Sequence, residues 1–162
     1  MPERRPDPAE PEYLVTTYRD GKRTEEHTTE EEKARRDPSD VDLFWDDTTG
    51  QVVIRKENGE SIEFFGAPPG VGGTLRRLLF DLMWEAPGIL DDSYVQRVTK
   101  RIGKPGRSII IARLSKLRHA LGESHSQPWF LLSRRYPFGL CFDRRRSWRH
   151  VDRIARPTGN GQ

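Results

Sequence analysis

The apolar residues of this chain change their spacing at one place, and that change restricts the fold more than any single motif. From 41 to 65 they fall in short runs, "VDLFWD" (41–46), "QVVIRK" (51–56) and "SIEFF" (61–65), separated by the turns "DTTG" and "ENG". Runs of this length joined by tight turns predict three antiparallel strands in a meander. After the glycine-rich "APPGVGGT" (67–74) the spacing becomes three and four. Leu75, Leu78, Leu79, Leu82 and Met83 then share one helical face, which ends before Pro87-Gly88. Asp91 or Asp92 caps a second helix with Tyr94, Val95, Val98 and Ile102 on its apolar side. The run Gly103-Lys104-Pro105-Gly106 breaks it, and a third helix is predicted from about Arg107 to Leu121, stopped by Gly122. "WFLLSRR" and "FGLCFD", divided by Tyr136-Pro137, read as a closing hairpin. The result is an α+β chain in the order of a winged helix-turn-helix: an N-terminal antiparallel β-meander, three helices and a C-terminal β-hairpin wing.

The two ends read differently. Only 33% of the chain is hydrophobic and another 33% is charged, so part of its length is expected to stay unfolded. Residues 1–40, with Pro2, Pro6, Pro8, Pro11 and "TEEHTTEEEKARRD", predict a largely disordered acidic arm holding at most a marginal hairpin at "YLVTTYRDGKR". A domain over 41–146 follows, then a basic tail over 147–162. Net charge is +3, but residues 1–40 hold 8 Lys+Arg against 12 Asp+Glu, residues 41–106 hold 8 against 10, and residues 107–162 hold 12 against 3. A basic third on an acidic chain is the electrostatic footprint of a nucleic-acid surface. Half of those twelve cations lie in "DRRRSWRHVDRIAR", where a solubilising tail would also place them. The single cysteine, Cys141, excludes an intramolecular disulfide. No apolar run approaches the roughly 18 residues of a membrane span, and the N-terminus lacks the apolar core of a signal peptide. A cytoplasmic protein without a membrane partner is expected.

On a wheel of 100° per residue, Ile110, Leu114, Leu117 and Leu121 fall within about 60° of one another and form the buried stripe of the third helix. Ser108, Ala112, Ser115 and His119 lie opposite, with Ile111 and Lys116 beside them and Arg113 and Arg118 flanking the stripe. Small residues let a helix axis approach another surface, and flanking cations can neutralise phosphates on either side of a groove. A surface helix that only meets water would look similar. The hairpin that follows, with Arg134 and Arg135, favours DNA.

Residues 41–143 resemble the OmpR/PhoB-type winged-helix effector domain of bacterial transcription regulators. "RLSKLRHAL" is similar to the end of that family's recognition helix and "YPFGLCF" to the end of its wing. "LRRLLFDLMWEAPG" and "LDDSYVQRVTKRI" follow the strands in the family's order. The resemblance implies a regulator that reads duplex DNA through the outer face of the third helix, at Ser108, Ala112, Arg113, Ser115 and Lys116. It also implies a wing arginine in a minor groove, at Arg135 or Tyr136. With the neighbours on the helix and hairpin, the candidate DNA-binding set is Ser108, Ile111, Ala112, Arg113, Ser115, Lys116, Arg118, His119, Arg134, Arg135 and Tyr136. Ser108 and Ser115 stand where the family often has cations, Ile111 where it is usually polar, and Pro137 and Leu140 replace a wing glycine and tyrosine. Residues 1–40 are too short and polar for a phosphoacceptor receiver domain, so phosphorylation control is not implied. Oligomerisation on DNA is compatible with this reading. The alternative is a winged-helix protein-interaction module that holds RNA polymerase or another regulator.

Catalysis is not expected. In "APPGVGGT" Gly73 stands where a phosphate loop needs its lysine and Ala67 where it needs its first glycine. The run reads instead as the joint between sheet and helices. His27, His119, His125 and His150 are scattered, with no metal-ligand spacing, so neither a metal nor a cofactor is expected. Asp46-Asp47 and Asp91-Asp92 read as turn and cap residues. Cys141, Trp129 and Trp148 read as packing residues, Trp148 holding a C-terminal turn onto the domain.

Overall fold

The computed structural model describes residues 12–34, 38–63 and 71–154. β1 (Glu12–Arg19) and β2 (Lys22–Thr28) form a hairpin and α1 (Glu31–Ala34) is a single helical turn. β3 (Leu43–Asp46), β4 (Gln51–Arg55) and β5 (Ser61–Glu63) form the expected meander. Three long helices follow, α2 (Val71–Glu85), α3 (Asp92–Thr99) and α4 (Lys104–Leu121), then β6 (Leu131–Arg135), β7 (Phe138–Phe142) and β8 (Trp148–Ile154). β6 and β7 pair only with each other, while the remaining strands build a six-stranded sheet in the order β2-β1-β8-β3-β4-β5. All its pairings are antiparallel except β3 with β8. The architecture is therefore mixed α+β, with a large, mostly antiparallel sheet.

That sheet corrects both ends of the sequence reading. Residues 12–28 are a hairpin inside the sheet, and 148–154 are a strand at its centre. The turn Asp20-Gly21 has φ of 54° and 79°, the left-handed pair that a two-residue hairpin connection requires. The Asp20-Gly21 hairpin is expected from the sequence only as a marginal element, and 148–154 read as a tail because their polar groups find partners far away in the chain. Arg149 is 4% exposed; its guanidinium donates to both carboxylate oxygens of Asp40 (2.5 and 2.8 Å) and to Thr17 (3.2 Å). His150 is bound to Asp47 (2.5 Å), and Asp42 accepts from the Ser147 backbone N–H (2.8 Å). Trp148 is fully buried against Tyr18, their rings stacked 5.6 Å apart, so it belongs to the core rather than to a docked turn.

One face of the sheet, with Tyr18, Leu43, Trp45, Val52 and Ile54, meets the apolar stripes of α2 and α4. The opposite face carries a smaller cluster of Tyr13, Val15, Val41, Phe44 and Val151 with Ala34 of α1. Within the helical part Ile110, Leu114, Leu117 and Leu121 are all buried, as their spacing requires. The Asp91 carboxylate caps α3 by accepting from the Ser93 N–H (2.9 Å). Gly122 ends α4 in the left-handed region at φ 77°.

Three details differ from expectation. α2 starts at Val71, within the glycine-rich run rather than after it, and the part of that run at 67–70 lies outside the described residues. α3 stops at Thr99, which leaves Ile102 77% exposed beyond its end. The run 103–106 opens α4 instead of only breaking α3, because proline is tolerated in a first turn where its missing N–H is not needed. Gly106 there is buried, and a Cβ on it would sit 2.9 Å from Val95 Cγ1, so only glycine lets α3 and α4 approach so closely.

Candidate nucleic-acid interface

Two sets of hydrogen bonds help to hold the β6–β7 hairpin beside α4. Leu90, between α2 and α3, exchanges backbone hydrogen bonds with Leu140 of β7 (2.8 and 2.9 Å). Arg118 reaches from α4 to β6, donating to the Leu131 carbonyl (3.3 Å) and the Ser133 hydroxyl (3.2 Å). Between helix and hairpin runs a groove of about 890 Å³ with an apolar floor of Leu114, Phe138 and Leu140.

Most of the candidate residues line this groove: Ser108, Ile111, Ser115, Arg118 and His119 from the helix, and Arg134, Arg135 and Tyr136 from the hairpin. Ala112 and Lys116 do not line it; both are exposed elsewhere on α4. Arg113 is half-buried on the opposite flank, near Tyr94. Burial, then the bond to Asp81 (2.8 Å), holds the Tyr94 phenol far above the ordinary tyrosine range, against the pull of the Arg77 and Arg113 charges.

Arg118 does not offer a free cation. It is 8% exposed, and its third bond goes to His125 Nδ1 (3.3 Å). Burial lowers its pKa, and the charge of Glu123 partly restores it. Glu123 in turn accepts from the backbone N–H groups of Trp129 and Phe130, and burial raises its carboxyl above the usual range against those bonds. The two residues act as struts that clamp the loop between α4 and β6. On the helix alone Arg118 looks like a flanking cation, because its partners lie seven to fifteen residues further on.

Lys104 and Arg107 line the groove but were absent from the candidates, since the helix was expected to begin at Arg107. Arg107 makes a bidentate pair with Asp92 (2.8 and 2.5 Å) and lies over the Phe138 ring. That hydrogen bonding holds the Asp92 carboxyl below the usual range. The Ser108 hydroxyl donates to the Lys104 carbonyl (3.0 Å), so only its acceptor capacity is left for another partner. Ile111 is 51% exposed and Tyr136 88%.

Trp129 is half-buried, donates to the Arg55 carbonyl (3.0 Å) and carries the Arg146 guanidinium over its ring. Cys141 is a half-buried thiol whose pKa is raised by burial. Among the described residues no group of three or more His, Cys, Asp or Glu could hold a metal ion, and no helix is long and apolar enough to cross a membrane. No protein-family model, curated protein or solved structure matches the chain.

Proposed function

We propose that the chain is a DNA-binding transcription regulator of the winged-helix type, acting in the cytoplasm without cofactor or catalysis, with α4 as its reading helix and β6–β7 as its wing. The observation that carries this reading is the shared groove: the polar side of α4 and the hairpin arginines border one cleft. A helix fits the major groove of B-DNA, and a hairpin mounted beside it reaches the neighbouring minor groove. The phosphate strand that separates the two grooves would then run along the cleft between Lys104 and Arg107 on one side and Arg134 and Arg135 on the other. The bridge from Leu90 to β7, which ties the hairpin back to the helices, supports the winged-helix arrangement. The OmpR/PhoB resemblance stays a proposal resting on the element order and on "RLSKLRHAL" and "YPFGLCF".

Fluorescence polarisation of the full chain with a duplex pool tests it. Binding should weaken by roughly a hundred-fold or more between 50 and 200 mM salt, as release of about four counterions requires. Absence of duplex binding at low salt would remove the proposal. Exposed Ile102 (77%) and Ile111 (51%) favour the second reading, a module that holds RNA polymerase or another regulator. It predicts instead a protein partner that stays bound at high salt and is lost on Ile111→Ser.

A further inference from the structure

We infer that the tip of the β6–β7 hairpin is a wedge: Tyr136 enters the minor groove, unstacks one base step and bends the duplex. This rests on the duplex-DNA reading above and adds how the wing engages its target. Among the described residues Tyr136 is the most exposed large hydrophobic side chain, at 88%. Arg135 and Phe138 pair directly across the hairpin, so Tyr136 and Pro137 alone form the connection. A two-residue connection gives a narrow tip that cannot fold back onto its own strands.

The mount is rigid. Arg134 Nε donates to the Pro137 carbonyl (3.1 Å), tying the turn to β6. Two residues further, Gly139 lies so close to Ile89 that a Cβ would sit 2.6 Å from Ile89 Cγ2. Behind it Leu140 is bonded to Leu90. An exposed ring on a fixed support, with Arg134 and Arg135 exposed just before it, combines what a minor-groove wedge requires. The arginines meet the negative potential of a narrow groove, and the ring recovers the apolar contact that water denies it by stacking on a base face. Apolar wedges on other architectures pay for unstacking in this way and kink the duplex away from the protein. Opening a stack is cheapest at pyrimidine–purine steps such as TA and CA/TG, so the preferred DNA should carry one where the tip enters, without any base-edge hydrogen bond there.

A duplex recovered by the full chain from a randomised duplex pool supplies the probe. It is labelled at its ends with a donor and an acceptor dye, and in a second set with 2-aminopurine placed in turn along the site. The wild-type chain should bend it by roughly 20–90° and raise 2-aminopurine fluorescence at one step. Tyr136→Phe should keep both signals, whereas Tyr136→Ala should lose both and bind about ten-fold more weakly. Tyr136 makes so little contact with the fold that Tyr136→Ala should match the wild type in thermal unfolding. A duplex that is bound but stays straight, or is bent equally by Tyr136→Ala, overturns the wedge and leaves DNA binding intact. Failure to recover any duplex at low salt overturns both.

Discussion

Two sets of arginines in the basic C-terminal third differ in what they touch. Around β8, Arg145 pairs with Asp143 while staying largely exposed, Arg146 lies over Trp129 and Arg149 is enclosed by Asp40 and Thr17, whereas Arg144 and Arg153 are exposed. At the hairpin, Arg134 and Arg135 are exposed beside the groove. The two sets look alike as charge in the sequence, yet Arg149 ties β8 to Thr17 and Asp40 whereas Arg134 and Arg135 border the groove. Charge density alone therefore does not separate arginines held within the fold from those exposed beside the groove.

The largest effect should come from the region that looked like a tail. Trp148→Ala removes a fully buried indole stacked on Tyr18 and packed near Trp84. It should cost about 3–5 kcal/mol in urea unfolding. A change below 1 kcal/mol would mean that residues 148–154 do not form the central strand.

Arg149→Ala should come next, at about 2–4 kcal/mol. It removes the bidentate partner of Asp40, but that carboxylate keeps Arg19 at 3.9 Å, is 42% exposed and can take water in exchange, so the loss stays below that of a fully buried pair. If stability were unchanged, the contrast between the two arginine groups would collapse.

Glu123 gives a smaller, pH-dependent effect. Its folded pKa is raised by burial, so the folded chain keeps a proton that the unfolded chain has already released. The associated stability is fully present below the ordinary carboxyl pKa of about 4.3 and is lost as pH rises through the folded value. Relative to Glu123→Gln, the wild type should therefore weaken across that window in thermal melts. A difference that stayed flat, or grew with pH, would contradict the assignment of burial as the dominant cause.

Local signals made much of the helical half legible. Ile110, Leu114, Leu117 and Leu121 announce a buried stripe by spacing alone, Asp91 announces a cap and Gly122 a stop. The meander was legible for the same reason. β1 was legible only as part of a marginal hairpin and β8 not at all, because what makes them buriable is distant: Arg149 meets Asp40 across 109 positions and Ser147 meets Asp42 across 105. At the candidate site the outer residues of α4 could be read from a helical wheel. Burial of Arg118 could not, since it depends on where the hairpin folds back. Lys104 and Arg107 were missed because Pro105 resembles a stop signal and here stands in an opening turn.

The most direct test compares equal charge removed from the two arginine groups. Duplex affinity is measured at low salt for the wild type, for Arg134→Ala with Arg135→Ala, and for Arg145→Ala with Arg146→Ala, each corrected for folded fraction. If the groove between α4 and the hairpin holds the DNA, the first pair should lower affinity at least about ten-fold and reduce the salt slope by about two. The second pair should then stay within about two-fold of the wild type, since it removes no phosphate contact. Equal losses from both pairs would show that the chain binds through overall charge, and that the groove is not the site.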